Sequence, residues 1–243
     1  MRAILSAIMM AIAFTAPGLA LQDDDVIVVT GSRISDYESD FVPHVRLDRR
    51  ADAISVRVSV VCDTRDVAQR RQELRDTLRN LVRAGRQNAA INIGLLVDRN
   101  DLGDQSIVNF DETIVDSIAI NPGRGRPDTS EVVIMATTAI SPDDTVDAAT
   151  ARINAFINGT RLVGRTEVLN TNNWELTVTG GPARYRDEIL AAIAADAHRT
   201  AAVFGEGFTI EVEGLEGGVH WQRAGAMELS FYIDYSLSVR PTD

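Results

Sequence analysis

The sequence contains few cysteines and few aromatic residues. Cys62 is its single cysteine, so no disulfide can form within the chain and the fold must be held by packing. Aromatic residues make up only 5% of the chain, which leaves aliphatic side chains to build most of the core. Cys62 continues the apolar phase of the strand pattern that begins at Ala53. We therefore expect a buried structural thiol rather than an intermolecular bridge.

Long hydrophobic runs are missing after the first 20 residues, since none approaches the roughly 20 apolar residues that a membrane helix needs. The first 20 residues are different. They combine Arg2 with an apolar run from Ala3 to Phe14 and small residues at Gly18 and Ala20. This is the pattern of a secretory signal peptide cleaved after Ala20. We expect a soluble exported protein, located in the periplasm or associated with the outer membrane, with no membrane span in the mature chain.

Positive charge is also in short supply. The chain has 24 basic residues against 35 acidic ones and a formal net charge of −11. A protein of this charge repels phosphate backbones and anionic lipid surfaces. The sequence therefore predicts no nucleic-acid partner.

What the sequence does contain is hydrophobic periodicity, which changes between strand and helix spacing along most of the chain. The patterns predict helices over Asp66–Ala84, 141–158 and Tyr185–Phe204, and strands over Ala53–Cys62, Ile91–Val97, Glu112–Ile120, Val132–Ala136, Arg165–Leu169, Trp174–Thr179, Phe208–Val212 and Met227–Val239. This order predicts an α+β fold, with a mainly antiparallel sheet, about three helices packed on it and recurring strand-helix-strand units.

The helix predicted over Tyr185–Phe204 is the element around which the chain is organised. Its apolar stripe comprises Ile189, Leu190, Ile193, Ala194, Ala197, Ala201 and Phe204, and Gly205 follows as a helix stop. Because alanine dominates this stripe, a sheet could approach the helix closely. Acidic residues open the helix at Asp187 and Glu188, where the helix dipole favours them.

The layout resembles the SIMPL-domain family of exported bacterial proteins. The resemblance lies in three stretches, 51–85, 131–159 and 174–207, and in the closing FYIDYSLSV, and it includes the helix start at Arg186, Asp187 and Glu188. It implies a SIMPL-like α+β domain over residues 44–243, an envelope location and self-assembly into a homo-oligomer. The family lends no established catalytic residues, so the resemblance implies no reaction.

A second resemblance concerns the segment from Asp23 to Ile34, within an N-terminal strand and linker over residues 21–43. It is similar to the TonB box of TonB-dependent outer-membrane receptors, which a partner captures by strand addition. The partner-binding residues would be Val26, Ile27, Val28, Val29 and Thr30, with a TonB-like or other envelope protein as the partner. The alternative is that the same residues are the first strand of the domain.

No arrangement of residues in the sequence indicates catalysis, a cofactor or a metal. The three histidines, His44, His198 and His220, lack the spacing of a zinc site. Asp187, Glu188 and Asp196 could be read as paired acids, but acidic residues at a helix start already have a dipole explanation. The sequence favours a non-enzymatic binding or assembly module of the envelope. The alternative is an envelope hydrolase whose active site has no recognisable motif.

Overall fold

The computed structural model describes residues 27–30, 43–98, 105–123 and 126–242. Its largest sheet is built around strand β3, Ala53–Cys62. This strand pairs along its whole length with β7 on one side and β8 on the other, antiparallel in both cases. Its apolar positions, Ile54, Val56, Val58, Val60 and Cys62, are almost fully buried. The alternation that predicted this strand therefore also identified its core-facing side.

The strands are β1 (Ile27–Thr30), β2 (Leu47–Arg50), β3 (Ala53–Cys62), β4 (Asn92–Asp98), β5 (Gln105–Asn109), β6 (Asn121–Gly123), β7 (Arg126–Ala139), β8 (Thr166–Thr179), β9 (Phe208–Glu213), β10 (His220–Arg223), β11 (Glu228–Tyr232) and β12 (Ser236–Pro241). The helices are α1 (Val67–Gln87), α2 (Glu112–Val115), α3 (Val146–Gly159) and α4 (Arg186–Phe204), the last preceded by a 3-10 turn, Pro182–Tyr185. This mixture of helices with mostly antiparallel sheet confirms the α+β prediction.

The seven-stranded sheet closes on itself. Its order is β3-β8-β1-β5-β4-β7-β6, and β7 also pairs with β3, so six strands form a closed ring to which β6 is attached. Two smaller sheets follow, one with the order β10-β11-β2 and one made of β12 and β9. Strand β1 is the element that joins β8 to β5, and it therefore completes the ring.

Helices α1 and α3 pack on β3 and its neighbours and cover the apolar side of the ring. The buried residues of α1 include Leu74, Leu78, Leu81 and Val82, and those of α3 are Ala149, Ile153, Phe156 and Ile157, all at the helical spacing of the sequence. Val67 and Val146, which the same spacing places on these faces at the helix starts, are exposed and half-buried respectively. The start of α3 was predicted at Ser141, but the helix begins four residues after Pro142. Thr145 is its cap and accepts the amide of Ala148, while Asp144 binds the amide of Ser141 and holds a separate turn.

The strand predicted over Glu112–Ile120 is wrong, because the chain forms the short helix α2 there. The carboxylate of Asp111 accepts the amides of Thr113 and Ile114 and so caps the helix start. Glu112 then forms ion pairs with Arg83 and Arg86 on α1. Local capping and docking on α1 outweigh the strand propensity of this segment.

The two strands predicted over Arg165–Leu169 and Trp174–Thr179, with a turn between them at Asn170–Asn173, are instead one strand, because β8 runs from Thr166 to Thr179. Both halves of β8 pair with β3, and the register shifts between Val56 and Val58. A β-bulge thus absorbs the polar residues at this point and keeps the strand continuous.

The long strand predicted over Met227–Val239 is divided into β11 and β12, which belong to different sheets. The chain leaves one sheet at Asp234, where Gly214 lies close: a Cβ on Gly214 would lie 2.7 Å from the Asp234 carbonyl oxygen. Gly214 has φ +89, a backbone conformation that glycine tolerates best. The alternation continues through the break in sequence, but only β11 has buried residues, since Leu237 of β12 is half-buried and Val239 is exposed.

The signal peptide predicted over residues 1–20 lies outside the described residues, and so does Val26. Within the described part of the chain, no helix is both long and apolar enough to cross a membrane.

Candidate functional site

The predicted partner-binding residues Ile27–Thr30 form β1, which has paired neighbours on both sides. Against β8, Ile27 to Thr30 pair with Thr179 to Leu176, and against β5, Ile27 pairs with Ile107 and Val28 with Ser106. The structure thus places the segment within the seven-stranded sheet, between β8 and β5. Whether the same residues also bind another protein remains a hypothesis from the resemblance.

The strands on either side of β1 are deeply buried. Leu176, Thr177 and Val178 of β8 and Ser106 and Ile107 of β5 are all at most 3% exposed. If β1 left the sheet, main-chain groups of these residues would lose their partners in a place that water reaches poorly. Each such group costs about 1–3 kcal/mol. Capture of β1 by another protein therefore requires that something else fill the space between β8 and β5.

A second candidate surface lies at the far end of α4, which we call the C-terminal tip. It consists of Val203, Phe204, Phe208 and Val239, which are 83%, 49%, 41% and 37% exposed. These are four of the eight large hydrophobic side chains that are exposed in the described residues. Gly205, with φ +85, ends α4 and turns the chain into β9, so the rings of Phe204 and Phe208 lie 6.0 Å apart. Val239 pairs with Ile210 on β9, two residues from Phe208, so exposed apolar side chains gather where α4 ends and β9 begins.

The burial of α4 differs from the predicted stripe. Ile189 and Ile193 are buried as expected, whereas Ala194 and Phe204 are exposed. Asp196, predicted at the edge of the stripe, is buried and accepts a hydrogen bond from Arg199 at 2.9 Å. The packing of α4 therefore weakens toward its end, and its last turn, which leads into the C-terminal tip, faces solvent.

The side of the ring opposite α1 carries polar residues. Ser55 lies between Thr137 and Glu175 in the sheet, and its hydroxyl shares a 2.8 Å hydrogen bond with the Thr137 hydroxyl. Oε2 of Glu175 is buried without a hydrogen-bond partner. Burial raises the pKa of Glu175, and the charge of Arg57 partly opposes that rise. A buried carboxylate of this kind is the strongest candidate for acid–base chemistry in the described residues.

Cys62 is fully buried, as the strand pattern predicted, and belongs to a polar cluster at the end of β3. Its sulfur lies 3.4 Å from Oε2 of Glu73, which also accepts the Thr64 hydroxyl at 2.5 Å and the Arg165 amide at 3.1 Å. These hydrogen bonds, with Thr64 the strongest, lower the pKa of Glu73 to about 2. The cluster fastens α1 to the ends of β3 and β8, and its buried thiol is not placed for reaction with solutes.

An open cavity of about 440 Å³ lies between the start of α3 and β11. Arg50 lines it and donates to the carbonyl of Asp144 at 2.6 Å. Arg152 binds both carboxylate oxygens of Asp144 and, as the largest cause, lowers the pKa of Asp144 to about 2. Arg152 and Asp144 neutralise each other, and Arg50 is directed at the main chain of residue 144, so the cavity is an open cleft between packed elements.

The other residues considered in the sequence do not come together. His44, His198 and His220 are all exposed, and His220 lies 3.4 Å from Asp234. Glu188 binds Arg49, and Asp196 binds Arg199, so these two acids have different partners. Within the described ranges, no group of three or more His, Cys, Asp or Glu side chains is placed to hold a metal ion.

Sequence reasoning missed both the C-terminal tip and Glu175. For the tip, the available signal was an apolar helix end, Val203-Phe204, followed within four residues by Phe208 across a glycine turn. For Glu175 there was none, because a glutamate that alternates with strand residues usually faces water. No protein-family model matches this chain, and no curated protein or solved structure matches it either.

Proposed function

We propose that the protein is a non-enzymatic assembly module of the cell envelope, which associates with other envelope proteins or with its own copies through the C-terminal tip. The observation that carries this proposal is the exposure of Val203, Phe204, Phe208 and Val239 at the end of α4 and on the sheet of β9 and β12, where the rings of Phe204 and Phe208 lie 6.0 Å apart. Exposed apolar patches of this kind mark protein–protein contacts in proteins that are otherwise well packed. The envelope location rests on the signal-peptide pattern, and the SIMPL resemblance agrees with assembly.

The tip has the composition of an interface centre. Two of its four side chains are phenylalanines, although aromatic residues are only 5% of the chain. Aromatic residues contribute much of the binding free energy at interfaces.

The test compares native envelope extracts of cells that carry the wild-type chain or the Phe204→Glu/Phe208→Glu variant. We expect the wild-type chain to migrate in complexes larger than the monomer and the variant to migrate as a monomer. Leu169→Glu is the matched control, because Leu169 is 49% exposed on β8, away from the tip. A wild-type chain that is monomeric in every fraction would overturn the proposal, as would complexes that survive the double variant.

The alternative function, an envelope hydrolase, is favoured by one observation, the buried Oε2 of Glu175 beside Arg57. A carboxylic acid whose pKa is raised can act as a general acid near neutral pH. The purified wild-type chain and Glu175→Gln would be compared on chromogenic esters and glycosides. Hydrolysis by the wild type that disappears in Glu175→Gln, with the fold unchanged by circular dichroism, would favour the enzyme over the assembly module.

A further inference from the structure

We propose that two copies of this chain pair through the outer edges of β12, in an antiparallel two-fold arrangement that joins β9 and β12 of each copy into one four-stranded sheet. The inference rests on the proposed function and names the partner and the geometry of assembly. It starts from the small sheet of β9 and β12, in which β12 residues Ser236 to Pro241 pair with Glu213 to Phe208. No other strand in the described residues pairs with either outer edge of this sheet. Two-stranded sheets are only marginally stable in water without further pairing or cover.

The edge of β12 is the least protected of the open edges. Proteins blunt exposed edges with charges and proline. The other strands with an open edge carry such residues within the pairing region: Asp48, Arg49 and Arg50 in β2, Pro122 in β6, Glu211 and Glu213 in β9, and His220 and Arg223 in β10. In β12, Ser236 to Val239 form a longer uncharged run than any of these strands has, and Arg240 and Pro241, which pair with Thr209 and Phe208, follow at its end.

Charge also selects β12 over β9 for pairing with a second copy. Pairing of β9 with itself about Glu211 or Val212 sets glutamates of the two copies opposite each other on a chain whose net charge is already −11, and the ion pair of Glu211 with Arg240 leaves Glu213 uncompensated there. Like charges on adjacent strands destabilise a sheet. Antiparallel pairing of β12 about Ser238 instead sets each Arg240 opposite Ser236 of the other copy.

The side-chain pattern fixes the register. In pairing about Ser238, Leu237 lies opposite Val239 of the other copy, and serine lies opposite serine. A shift by one residue would place apolar residues against polar ones across the join. The proposed register therefore continues the apolar face across both copies and places the half-exposed Val239 beside a second aliphatic side chain. Pro241, which has no amide hydrogen, falls outside the paired residues.

The two-fold arrangement limits assembly to a dimer. Pairing of one β12 edge with another uses the same edge on both copies, so it stops at a dimer. Pairing of β12 with the β9 edge of a second copy would leave one open edge at each end and would continue into longer chains.

The test is disulfide cross-linking of the purified full-length chain. Opposed residues of antiparallel strands have Cα atoms about 4.5–5.5 Å apart, which suits a disulfide. Ser238→Cys should therefore give a covalent dimer under mild oxidation. Thr209→Cys, on the exposed polar face of β9, is the matched control, and native Cys62 is buried and should not react. We expect at least a severalfold excess of dimer for Ser238→Cys over Thr209→Cys.

A second variant measures the equilibrium. Val239→Lys places a charge on the apolar face at the join, and sedimentation velocity should show a loss of dimer at concentrations where the wild type and Thr209→Lys associate. If the wild type associates but Ser238→Cys gives no more covalent dimer than the control, the β12 pairing is wrong while assembly through the tip stands. If the purified wild type is a monomer and Ser238→Cys does not cross-link, the β12 pairing is also wrong. The proposed function is then tested separately by the comparison of envelope extracts with the Phe204→Glu/Phe208→Glu variant.

Discussion

The hydroxyl of Thr64 donates to Oε2 of Glu73 at 2.5 Å, and this bond joins the loop after β3 to the first half of α1. The same oxygen accepts the amide of Arg165, which precedes β8, and Oε1 accepts the side-chain amide of Gln69. Glu73 is only 9% exposed, so its charge is stabilised by donated hydrogen bonds rather than by water. One carboxylate thus holds together three segments that are distant in sequence.

Replacing Glu73 with Gln should lower the free energy of unfolding by about 1–3 kcal/mol at pH 7, because one acceptor oxygen becomes a donor and leaves buried donors unmatched. The pKa of Glu73 is lowered to about 2, so its contribution is fully present above the ordinary glutamate pKa near 4.5. It is lost as the pH falls from there toward 2. Urea unfolding of both proteins should show a stability difference that is constant from pH 5 to 7 and shrinks below pH 4.5. Glu216→Gln, at an exposed position, is the control, and a pH-independent difference would contradict the prediction.

Gly164→Ala should destabilise the chain more than Gly180→Ala. Both glycines have positive φ, +58 and +72, so alanine strains the main chain at either position by about 1–2 kcal/mol. A Cβ on Gly164 would also lie 2.1 Å from Cδ of Glu73, whereas a Cβ on Gly180 would meet nothing within 4 Å. The difference between the two melting temperatures isolates the clash with Glu73. Equal melting temperatures would show that Glu73 can move aside without cost.

Cys62 should react with thiol reagents only when the chain unfolds, because its side chain is fully buried. Labelling by a chromogenic disulfide reagent should be slow in buffer and complete within the mixing time in denaturant. Thr209→Cys supplies an exposed thiol on the same protein, which should react at once in buffer. Rapid labelling of Cys62 in the folded wild type would mean that the end of β3 opens readily.

Val28→Pro should lower the melting temperature by roughly 3–10 °C, because Val28 pairs with Val178 on one side and Ser106 on the other and proline removes a main-chain donor. Val28→Ala is the matched control, since it shortens the same side chain without changing the main-chain hydrogen bonds. If the two variants melt together and only Val28→Pro loses binding to the TonB C-terminal domain, the segment acts as a transferable strand. That result would favour the TonB-box hypothesis over an ordinary first strand.

Much of the fold was predictable because hydrophobic periodicity depends only on residues close together in the sequence. The limits of β3 were predicted to the residue, and the buried faces of α1 and α3 followed from spacing alone. The errors lie where a distant contact decides. The segment from Glu112 was predicted as a strand, but capping by Asp111 and ion pairs with arginines of α1 favour a helix. The asparagines at 170 and 173 lie within β8 because both halves of this strand pair with β3.

The candidate surfaces were less accessible to sequence reasoning than the core. Alternation shows that one side of a strand or helix is apolar, but not whether another element of the same chain covers it. Phe204, at the end of the predicted apolar stripe of α4, is exposed and contributes to the C-terminal tip. Glu175 could not be distinguished from a solvent-facing residue, because only closure of the sheet encloses that side of the strand.

The sequence by itself determined the α+β class, the central strand, the buried thiol and the positions of the main helices, because periodicity and helix caps act over a few residues. The tertiary structure alone decided the closure of the ring by β1, the division of the last strand between two sheets and the exposure of the tip. These features depend on which surfaces meet across long separations in the chain. That outcome is set by the free energy of burying all of them together rather than by the pattern of any one segment.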